Sequence, residues 1–394
     1  MITSEGSAGP IVVDVGSSTV RAGFAGAARP SLIEGSFIGR HDKDIKFPLS
    51  FERPTAGVEV VPIWKPYGPQ AKYPEFHSEE ALLSALGSAL RDPHTGLSAD
   101  VEASSAALSP VLISEPSVQN IAYRQKVIQL LFEKLGARAA FVCKRSVLSA
   151  FSVGKTNAVV VNVGAAVTSV SCVVGGHASQ HFYSSSNVAG NALDHEIKER
   201  LRAQNASLNF LPRSFQTTKG VTKSFHDVAE NFHIGRMKES VCRVAENKDI
   251  RVNVNSAAYE LPDGTLVDCN KVAQSVPELL FADKRKSLSA MVKDVIDKQQ
   301  SSDESLAQSL LSSVVVSGGT TAMTGFTERI QSDLTQTFTG SMVKCFSGQT
   351  GMDKQHAAWI GGSIVASLGA FGNLWITKRE YEENGVGIVG KKCP

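Results

Sequence analysis

Short apolar runs alternate with helical patterns along the first half of the chain. The run "IVVDVG" (residues 11–16) predicts a buried strand, and the alternating segment "VRAGFAG" (20–26) predicts the strand that returns from it in a hairpin. Leucines at helical spacing predict an amphipathic helix over residues 78–92. A short buried strand at 110–114 is followed by a second amphipathic helix at 117–136.

The second half repeats the order of strand, glycine turn and helix. "AVVVNVG" (158–164) predicts a strand, "NVAGNALDHEIKERL" (187–201) predicts a helix, and residues 312–334 predict a strand, a turn and a helix. A further helix is predicted near residues 228–244, before a hairpin whose turn contains Asp263 and Gly264. Strands followed by glycine turns and helices favour an α/β fold in which helices flank mainly parallel strands.

Two segments of the chain resemble each other. "IVVDVGSSTVRAGFAG" begins at Ile11 and "VVVNVGAAVTSV" begins at Val159, and each is an apolar run followed by a polar residue, a glycine, small residues and a threonine. The polar residue is Asp14 in the first segment and Asn162 in the second, 148 positions later. Because that interval is about one domain length, we expect a duplicated two-domain architecture with a ligand between its halves.

The glycine turns are candidate phosphate sites. A tight turn points several backbone N–H groups into one concavity, to which hydroxyl groups and an arginine fork can add donors. Two matched turns favour phosphate binding more than either turn alone, while a duplicated fold that has lost its ligand stays open as the alternative. The first turn offers Gly16, Ser17, Ser18, Thr19 and Arg21 beside Asp14, the second offers Gly164, Ala165, Ala166 and Val167, and a third glycine turn follows at 317–321.

Composition and charge narrow the class of protein. The chain has 394 residues, more than one hydrophobic core usually serves, and 42% of them are hydrophobic. Its 40 basic and 38 acidic residues leave a net charge of +2, which gives no electrostatic argument for binding nucleic acid or membranes. The six cysteines lack C-x-x-C spacing, and we expect neither a secretory signal nor a membrane-spanning run. These features favour a reduced compartment, cytosolic or nuclear.

Taken together, these segments resemble the actin superfamily over nearly the whole chain. "VVDVGSSTVRAGFAG" is similar to the first phosphate loop of that family, and "PVLISEPS" with the residues from Tyr123 to Thr168 is similar to the region that leads into the second loop. "SGGTTAMTGFTERI" resembles the nucleoside-side loop, and "WIGGSIVASLGAF" with "WITKREYEENG" resembles the C-terminal helix and tail. Details such as "VCK" before "SVLSAF" and the ending "KKCP" resemble the fourth subfamily of nuclear actin-related proteins more than conventional actin.

The resemblance implies the actin-like duplicated two-domain α/β fold, the type that actin shares with hexokinase and heat-shock ATPases, with a nucleotide cleft between the halves. We expect a first lobe from residues 1–153 and 360–394, with an insert at about 40–75. The second lobe is expected over residues 154–359, with an insert at about 190–275.

The resemblance also implies which residues would hold ATP or ADP. Lys238 and Glu239 match a pair that contacts adenosine in the family, although a solvated helix pair is the commoner fate of such residues. Asp14 would be the ligand of an accompanying Mg²⁺ or Ca²⁺ ion. Further matches are Gly190, Gly318, Gly319 and Thr320, while Met323 and Gln355 replace a tyrosine and a lysine usually found near the base.

Hydrolysis requires more than a phosphate cradle, and the family pattern is incomplete here. Asp14 stands where the family keeps its first carboxylate, but Asn162 and Ala165 stand where two further aspartates are expected. Arg145 takes the place of the glutamine that orients the attacking water, and Ser169 takes the place of the histidine beside it. Several such losses together predict a protein that binds nucleotide and does not turn it over.

The resemblance implies protein partners. Proteins of this kind are subunits of chromatin-remodelling and histone acetyltransferase complexes, where they lie beside an actin monomer on a helical segment of the motor or scaffold subunit. We expect a nuclear protein, with a cytoplasmic pool allowed, that has histones or the nucleosome as further candidate partners. We expect no membrane binding and no sequence-specific nucleic-acid binding. An apolar groove for a partner helix is expected from Phe151, Leu368, Phe371 and Leu374, with Phe151 and Phe371 as the preferred contacts and Leu368 equally compatible with a core position.

Two rival functions fit the sequence less well. A cytoskeletal actin-like ATPase would form filaments, but residues 41–68 and 282–305 do not resemble the mobile loop and the apolar plug that conventional actin uses. A sugar or acetate kinase on the related fold would need an aspartate base at a substrate pocket, and the sequence identifies none. The favoured hypothesis is therefore a nucleotide-binding assembly module that forms no filament.

Overall fold

The computed structural model of the chain describes residues 9–42, 44–65, 75–91, 109–118, 120–247, 257–283 and 285–393. The strands are β1 (Ile11–Val15), β2 (Thr19–Phe24), β3 (Leu32–Gly35), β4 (Phe37–His41), β5 (Asp44–Lys46), β6 (Glu59–Pro62), β7 (Val111–Glu115), β8 (Ala139–Lys144), β9 (Ala158–Val163), β10 (Thr168–Val174), β11 (His177–Ser186), β12 (Ala258–Glu260), β13 (Leu266–Asp268), β14 (Val314–Ser317), β15 (Cys345–Ser347) and β16 (Ile376–Thr377). The helices are α1 (Glu79–Arg91), α2 (Ile121–Gln129), α3 (Arg145–Phe151), α4 (Gly190–Gln204), α5 (Ser214–Thr217), α6 (Lys223–Val241), α7 (Asn270–Ser275), α8 (Leu279–Ala282), α9 (Leu288–Ser302), α10 (Glu304–Leu311), α11 (Phe326–Thr337), α12 (Gly351–Ser367), α13 (Lys378–Asn384) and α14 (Val389–Lys392).

Two sheets of the same layout form the framework. The first has the strand order β16-β8-β7-β1-β2-β3, and the second has the order β11-β10-β9-β14-β15. In the first sheet β8, β7 and β1 are parallel, and β1, β2 and β3 are antiparallel. In the second sheet β15, β14 and β9 are parallel, and β9, β10 and β11 are antiparallel. This repetition confirms the duplicated α/β fold.

The expectation of mainly parallel strands is wrong, because each sheet joins a parallel part to an antiparallel meander. The cause lies in the connections. A short glycine turn can join only antiparallel strands, whereas parallel neighbours such as β7 and β8 need a crossover helix, here α2.

Each sheet buries its own apolar cluster, and helix α12 contacts elements of both halves. The Trp359 indole N–H on α12 donates to the Val12 carbonyl of β1 over 3.0 Å. Helix α12 also lies so close to α3 that a Cβ atom on Gly361 would fall 1.8 Å from the Leu148 carbonyl oxygen. Glycine is therefore required at that point of the helix contact.

Two smaller parts of the chain, which lie outside the two main sheets and which we call the insertions, contact each other. The first is the small sheet β5-β4-β6, and the second contains α5, α6 and the hairpin β12–β13. The Gly57 N–H donates to the Gly220 carbonyl over 2.8 Å, and the Val60 N–H donates to the Ser224 hydroxyl over 3.0 Å. We call the apolar contact between them the clasp, which consists of Phe51, Val58, Val60, Leu211, Phe215, Phe225 and Ala229.

Local elements follow the sequence expectations with shifted bounds. Helix α6 begins at Lys223, five residues before the helix that was predicted near 228–244, because Thr222 caps it by accepting from the Phe225 N–H. The domain limits at 153/154 and 359/360 stay a prediction. None of the helices in the described ranges combines the length and the apolar character needed to cross a bilayer.

Candidate functional site at two matched hairpins

The two glycine turns close hairpins of the same geometry. In the first, between β1 and β2, the Gly16 N–H donates to the Thr19 carbonyl over 2.9 Å. In the second, between β9 and β10, the Gly164 N–H donates to the Val167 carbonyl over 3.0 Å. Both turns follow the carboxyl end of a strand that has a parallel neighbour, which is the edge where open α/β sheets bind ligands.

The two turns face each other and keep unused donors. The Ala166 N–H donates to the Ser17 hydroxyl over 3.2 Å, so one turn contacts the other directly. Within the described residues, the N–H groups of Ser17, Ser18, Ala165 and Val167 donate to no acceptor. These turns are partly open to solvent. Such a concentration of unpaired amides suits an anion.

The strand register gives the two hairpins different chemistry. Asp14 lies opposite Arg21 in the first hairpin, and Asn162 lies opposite Ser169 in the second. Arg21 and Asp14 form a buried ion pair, with Nη1 at 3.1 Å from Oδ2. The second hairpin has neutral side chains at the matching positions.

A second arginine reaches Asp14 from helix α3. The Nε and Nη2 atoms of Arg145 each donate to Oδ1 of Asp14 over 3.1 Å, and Nη2 also donates to the Val15 carbonyl over 3.1 Å. The Ser114 hydroxyl donates to the same carboxylate oxygen. Burial raises the pKa of Asp14, but Arg145, Arg21 and Ser114 outweigh burial and hold that pKa below its usual value. Asp14 is therefore ionised, and both of its oxygens are already bound.

His356 fixes the other side of Arg21. The Nε–H of Arg21 donates to Nδ1 of His356 over 2.7 Å. Since Nδ1 accepts, the proton of the neutral ring lies on Nε2, which is buried and has no partner within the described residues. Burial and the nearby Arg21 lower the pKa of His356 to about 4. The imidazole is thus neutral at physiological pH.

These side chains do not fit a divalent cation at Asp14. Mg²⁺ and Ca²⁺ bind carboxylate oxygens that are free to accept them, and both oxygens of Asp14 are taken by guanidinium groups. Asn162 and Ala165 supply no second carboxylate. No group of three or more His, Cys, Asp or Glu residues in the described ranges could hold a metal ion. The role of Asp14 as a metal ligand stays a prediction without support from this geometry.

The second turn is supported by residues of other elements. The Asn162 side chain donates from Nδ2 to the Ser317 hydroxyl over 3.0 Å. The Gly164 carbonyl accepts from the Gly190 N–H over 3.0 Å and from the Thr320 hydroxyl over 2.9 Å. The structure therefore brings Gly190 and Thr320, both predicted from the sequence, against the second turn.

Backbone conformation and close packing require glycine at position 318 in the third glycine turn. Gly318 has φ of +103°, and a Cβ atom there would fall 2.3 Å from the Val163 carbonyl oxygen. Gly319 lies beside Gln355, whose Cγ would be 3.5 Å from an added Cβ. Met323 is buried in the apolar cluster of the second sheet, so its predicted contact with a base has no support here.

Lys238 is bound inside the protein. Its Nζ lies 2.8 Å from Oδ1 of Asp194 on α4 and donates to the Gly190 carbonyl over 3.1 Å. The Lys238 side chain is only 12% exposed, so it is not a solvated residue, whereas Glu239 next to it is exposed. Lys238 therefore fixes α6 to the residues that support the second turn.

Sequence reasoning missed the partners of the first carboxylate. Arg145 was recognised only as a replacement for a glutamine, and neither Ser114 nor His356 was a candidate. Arg145 and Asp14 are 131 positions apart, so no local pattern reveals the pairing. The signal available in the sequence was an arginine at a position where the family pattern has a neutral glutamine, in a site that keeps only one of its carboxylates.

The predicted partner groove is only partly a surface. Phe371 is buried and packs edge-on against Phe141, with ring centroids 4.9 Å apart, so the preferred contact residue is a core residue. Leu368 and Leu374 are instead 55% and 47% exposed. The helical spacing fails because α12 ends at Ser367 and a 3₁₀ turn follows. Phe151 is half-buried.

Fold and site together define a duplicated α/β protein with two facing glycine turns. A family model described as Actin matches residues 91–394, and the chain therefore belongs to the actin family. Actin-related protein 4 of Oryza sativa subsp. indica is 31% identical over 318 residues, which cover 72% of this chain and 71% of that protein. Actin-related protein 4 of Arabidopsis thaliana is 29% identical and that of Yarrowia lipolytica is 28% identical, the latter over 95% of this chain and 93% of its own length. The resemblance to the actin superfamily, and within it to actin-related proteins of the fourth type, is confirmed.

Proposed function

We propose that this chain binds ATP or ADP without hydrolysing it and acts as a structural subunit of nuclear chromatin-remodelling and histone acetyltransferase complexes. In these it would pair with an actin monomer on a helical segment of the motor or scaffold subunit. The observation that carries the proposal is the pair of facing turns. Their shape and free amides are kept, while Asn162, Ala165 and Ser169 replace groups that the family pattern reserves for catalysis.

Nucleotide binding is supported by the number of donors at one place. Four backbone amides without an acceptor among the described residues and two guanidinium groups lie at or beside the two turns. The clasp already holds the two insertions together. A ligand seated between the halves would add to that contact, and it would stabilise the folded chain by mass action.

Loss of hydrolysis is supported by the side chains beside the two turns. Arg145, which binds Asp14 and Val15 of the first hairpin, carries only N–H donors, so it cannot accept a hydrogen bond from an attacking water as a glutamine can. Ala165 has no atom that could hold a metal-bound water, and Ser169 is buried. Removing one group that stabilises a transition state commonly costs about 3 kcal/mol of barrier, and several are absent here.

Assembly with a helical partner is supported by exposed apolar side chains at the end of α12. Ile364 and Leu368 are 42% and 55% exposed and are one helical turn apart, and Leu374 is 47% exposed. An amphipathic helix that is laid across such residues would bury them. Met342, 76% exposed elsewhere on the chain, serves as a matched control for this surface.

The nucleotide and the partners are tested separately. We expect purified protein to release about one adenine nucleotide per chain on denaturation, with no phosphate release and no sedimenting polymer. Phosphate release together with polymer would favour the filament ATPase. Tagged protein at native abundance should recover actin with a motor or scaffold subunit from nuclear extract, and Leu368→Asp with Leu374→Asp should reduce that recovery. Met342→Asp should leave it unchanged, and equal recovery with both variants would refute the proposed contact face.

A further inference from the structure

The carboxylate of the first hairpin is surrounded by positive charge that the chain itself supplies. We propose that Arg145 takes the place of the divalent cation, so that this site binds the phosphates of ATP or ADP without Mg²⁺ or Ca²⁺. The inference rests on the proposed nucleotide binding and states how the phosphates are recognised.

The position of Arg145 is the first argument. Two of its nitrogens lie 3.1 Å from Oδ1 of Asp14, and a third contact to the Val15 carbonyl fixes the plane of the guanidinium group beside the first turn. A metal ion that bound Asp14 would have to break both hydrogen bonds from Arg145. It would also lie beside two positive charges, since Arg21 holds the other oxygen.

Charge is the second argument. One carboxylate and two guanidinium groups leave the cluster of Asp14, Arg21 and Arg145 with a net charge of +1. The facing turn is neutral, with Asn162 and Ala165 in place of carboxylates. The combined site therefore attracts an anion and repels a cation before any ligand arrives.

Unused donors are the third argument. Nη1 of Arg145 and Nη2 of Arg21 have no hydrogen-bond partner in the described part of the chain. The Arg145 side chain is 21% exposed, so it reaches the space beside the turns. A guanidinium group that is held by a carboxylate on one edge can present its other edge to phosphate oxygens.

The first experiment uses the unmodified chain. Nucleotide-free protein is titrated with ATP by calorimetry, once with excess EDTA and once with Mg²⁺. We expect dissociation constants that agree within about threefold, which is under 1 kcal/mol. Binding that requires Mg²⁺ would overturn the inference and leave the proposed function standing. Absence of binding under both conditions would overturn the nucleotide part of the proposed function itself.

The second experiment restores the residue of the family pattern. Arg145→Gln removes both guanidinium hydrogen bonds from Oδ1 of Asp14 and leaves only the Ser114 hydroxyl on that oxygen, so we expect ATP affinity in EDTA to fall about tenfold or more and to recover partly with Mg²⁺. Arg145→Lys keeps the charge and loses the planar fork, and it should give an intermediate loss. Arg379→Gln on α13, where the side chain is 86% exposed, is the matched control. Circular dichroism establishes that each variant is folded, and unchanged EDTA binding by a folded Arg145→Gln protein would contradict the inference.

Discussion

The hairpins of the two halves share a backbone and differ in charge. In the first, Asp14 is buried between Arg21 and Arg145, and its side chain is 4% exposed. In the second, the Asn162 side chain donates a neutral hydrogen bond to the Ser317 hydroxyl. The backbone bond that closes each turn has almost the same length. Duplication has therefore preserved the turn and changed the chemistry around it.

The difference shows that shape and chemistry are held by separate residues. Glycine and the backbone bonds set the turn, and these are local. The charges come from side chains that reach the turn from other elements, as Arg145 does from α3. The side chains around a turn can thus change while the turn keeps its cradle of backbone donors.

Removing the charge of the first hairpin should have the largest effect. Asp14→Ala leaves Arg21 and Arg145 close together without a counter-charge, and we expect a loss of about 3–5 kcal/mol in the free energy of unfolding. The matched change Asn162→Ala removes one neutral hydrogen bond and should cost about 1 kcal/mol. Urea unfolding followed by circular dichroism measures both. Equal losses would contradict the contrast between the hairpins.

Mutations at the clasp test whether the contact between the insertions helps to hold the two turns against each other. Phe225→Ala on α6 removes a fully buried ring that contacts Phe51, and it should lower the free energy of unfolding by about 3–5 kcal/mol. Hydrogen exchange at the Ala166 amide should rise, because its acceptor Ser17 lies on the opposite turn. Phe232→Ala is the control, since this ring on the same helix also contacts Phe51 but is 37% exposed. Protection of Ala166 that survives Phe225→Ala would show that the clasp does not hold the turns.

Lowering the pH should destabilise the folded chain through protonation of His356, which accepts a hydrogen bond from Arg21 of the first hairpin. Its folded pKa of about 4 lies below the usual value near 6.5, so the unfolded chain takes up this proton first as the pH falls. The stabilisation that the neutral His356 ring gives to the folded chain is fully present above about pH 6.5. It falls by about 1 kcal/mol per pH unit as the pH is lowered towards 4. Arg21 and Arg29 favour the neutral ring, while Asp14 and Asp353 oppose them. Stability measured from pH 7 to pH 4.5 should fall less steeply in His356→Gln, and an unchanged slope would contradict this assignment.

Restoring one carboxylate to the second hairpin should change little. Asn162→Asp places a charge beside Ser317 in a half-buried position, and the free energy of unfolding should change by no more than about 1 kcal/mol. Phosphate release from added ATP should stay at the level of the unmodified chain, since Ala165 and Arg145 still lack the groups that hydrolysis needs. Turnover that appears with this single change would mean that the missing aspartate alone had silenced the site.

The local part of the fold could be predicted from the sequence. The hairpins, the strand at 314–317 and the repeated half follow from apolar runs and glycine spacing, which act over a few residues. The strand directions could not be predicted as easily, because two strands pair in parallel only where the segment that connects them crosses over the sheet. Phe371 was misjudged because helical spacing was extended beyond Ser367, where α12 ends.

The backbone turns of the site could be predicted from the sequence, but the side-chain contacts around its charged residues could not. Gly16 and Gly164 stand in the predicted turns, and Gly190 and Thr320, which were predicted as nucleotide-binding residues, contact the second turn. The contact between Arg21 and His356 joins residues 335 positions apart. Such contacts depend on how the halves pack, and local sequence carries no record of that packing.

One measurement tests the central claim that the site holds nucleotide and does not break it. Purified chain is incubated with ATP labelled in its terminal phosphate, and bound label and released phosphate are counted in the same sample over hours. We predict about one labelled ATP per chain and phosphate release no faster than in buffer. Label that is lost as free phosphate, or that never binds, would contradict the account.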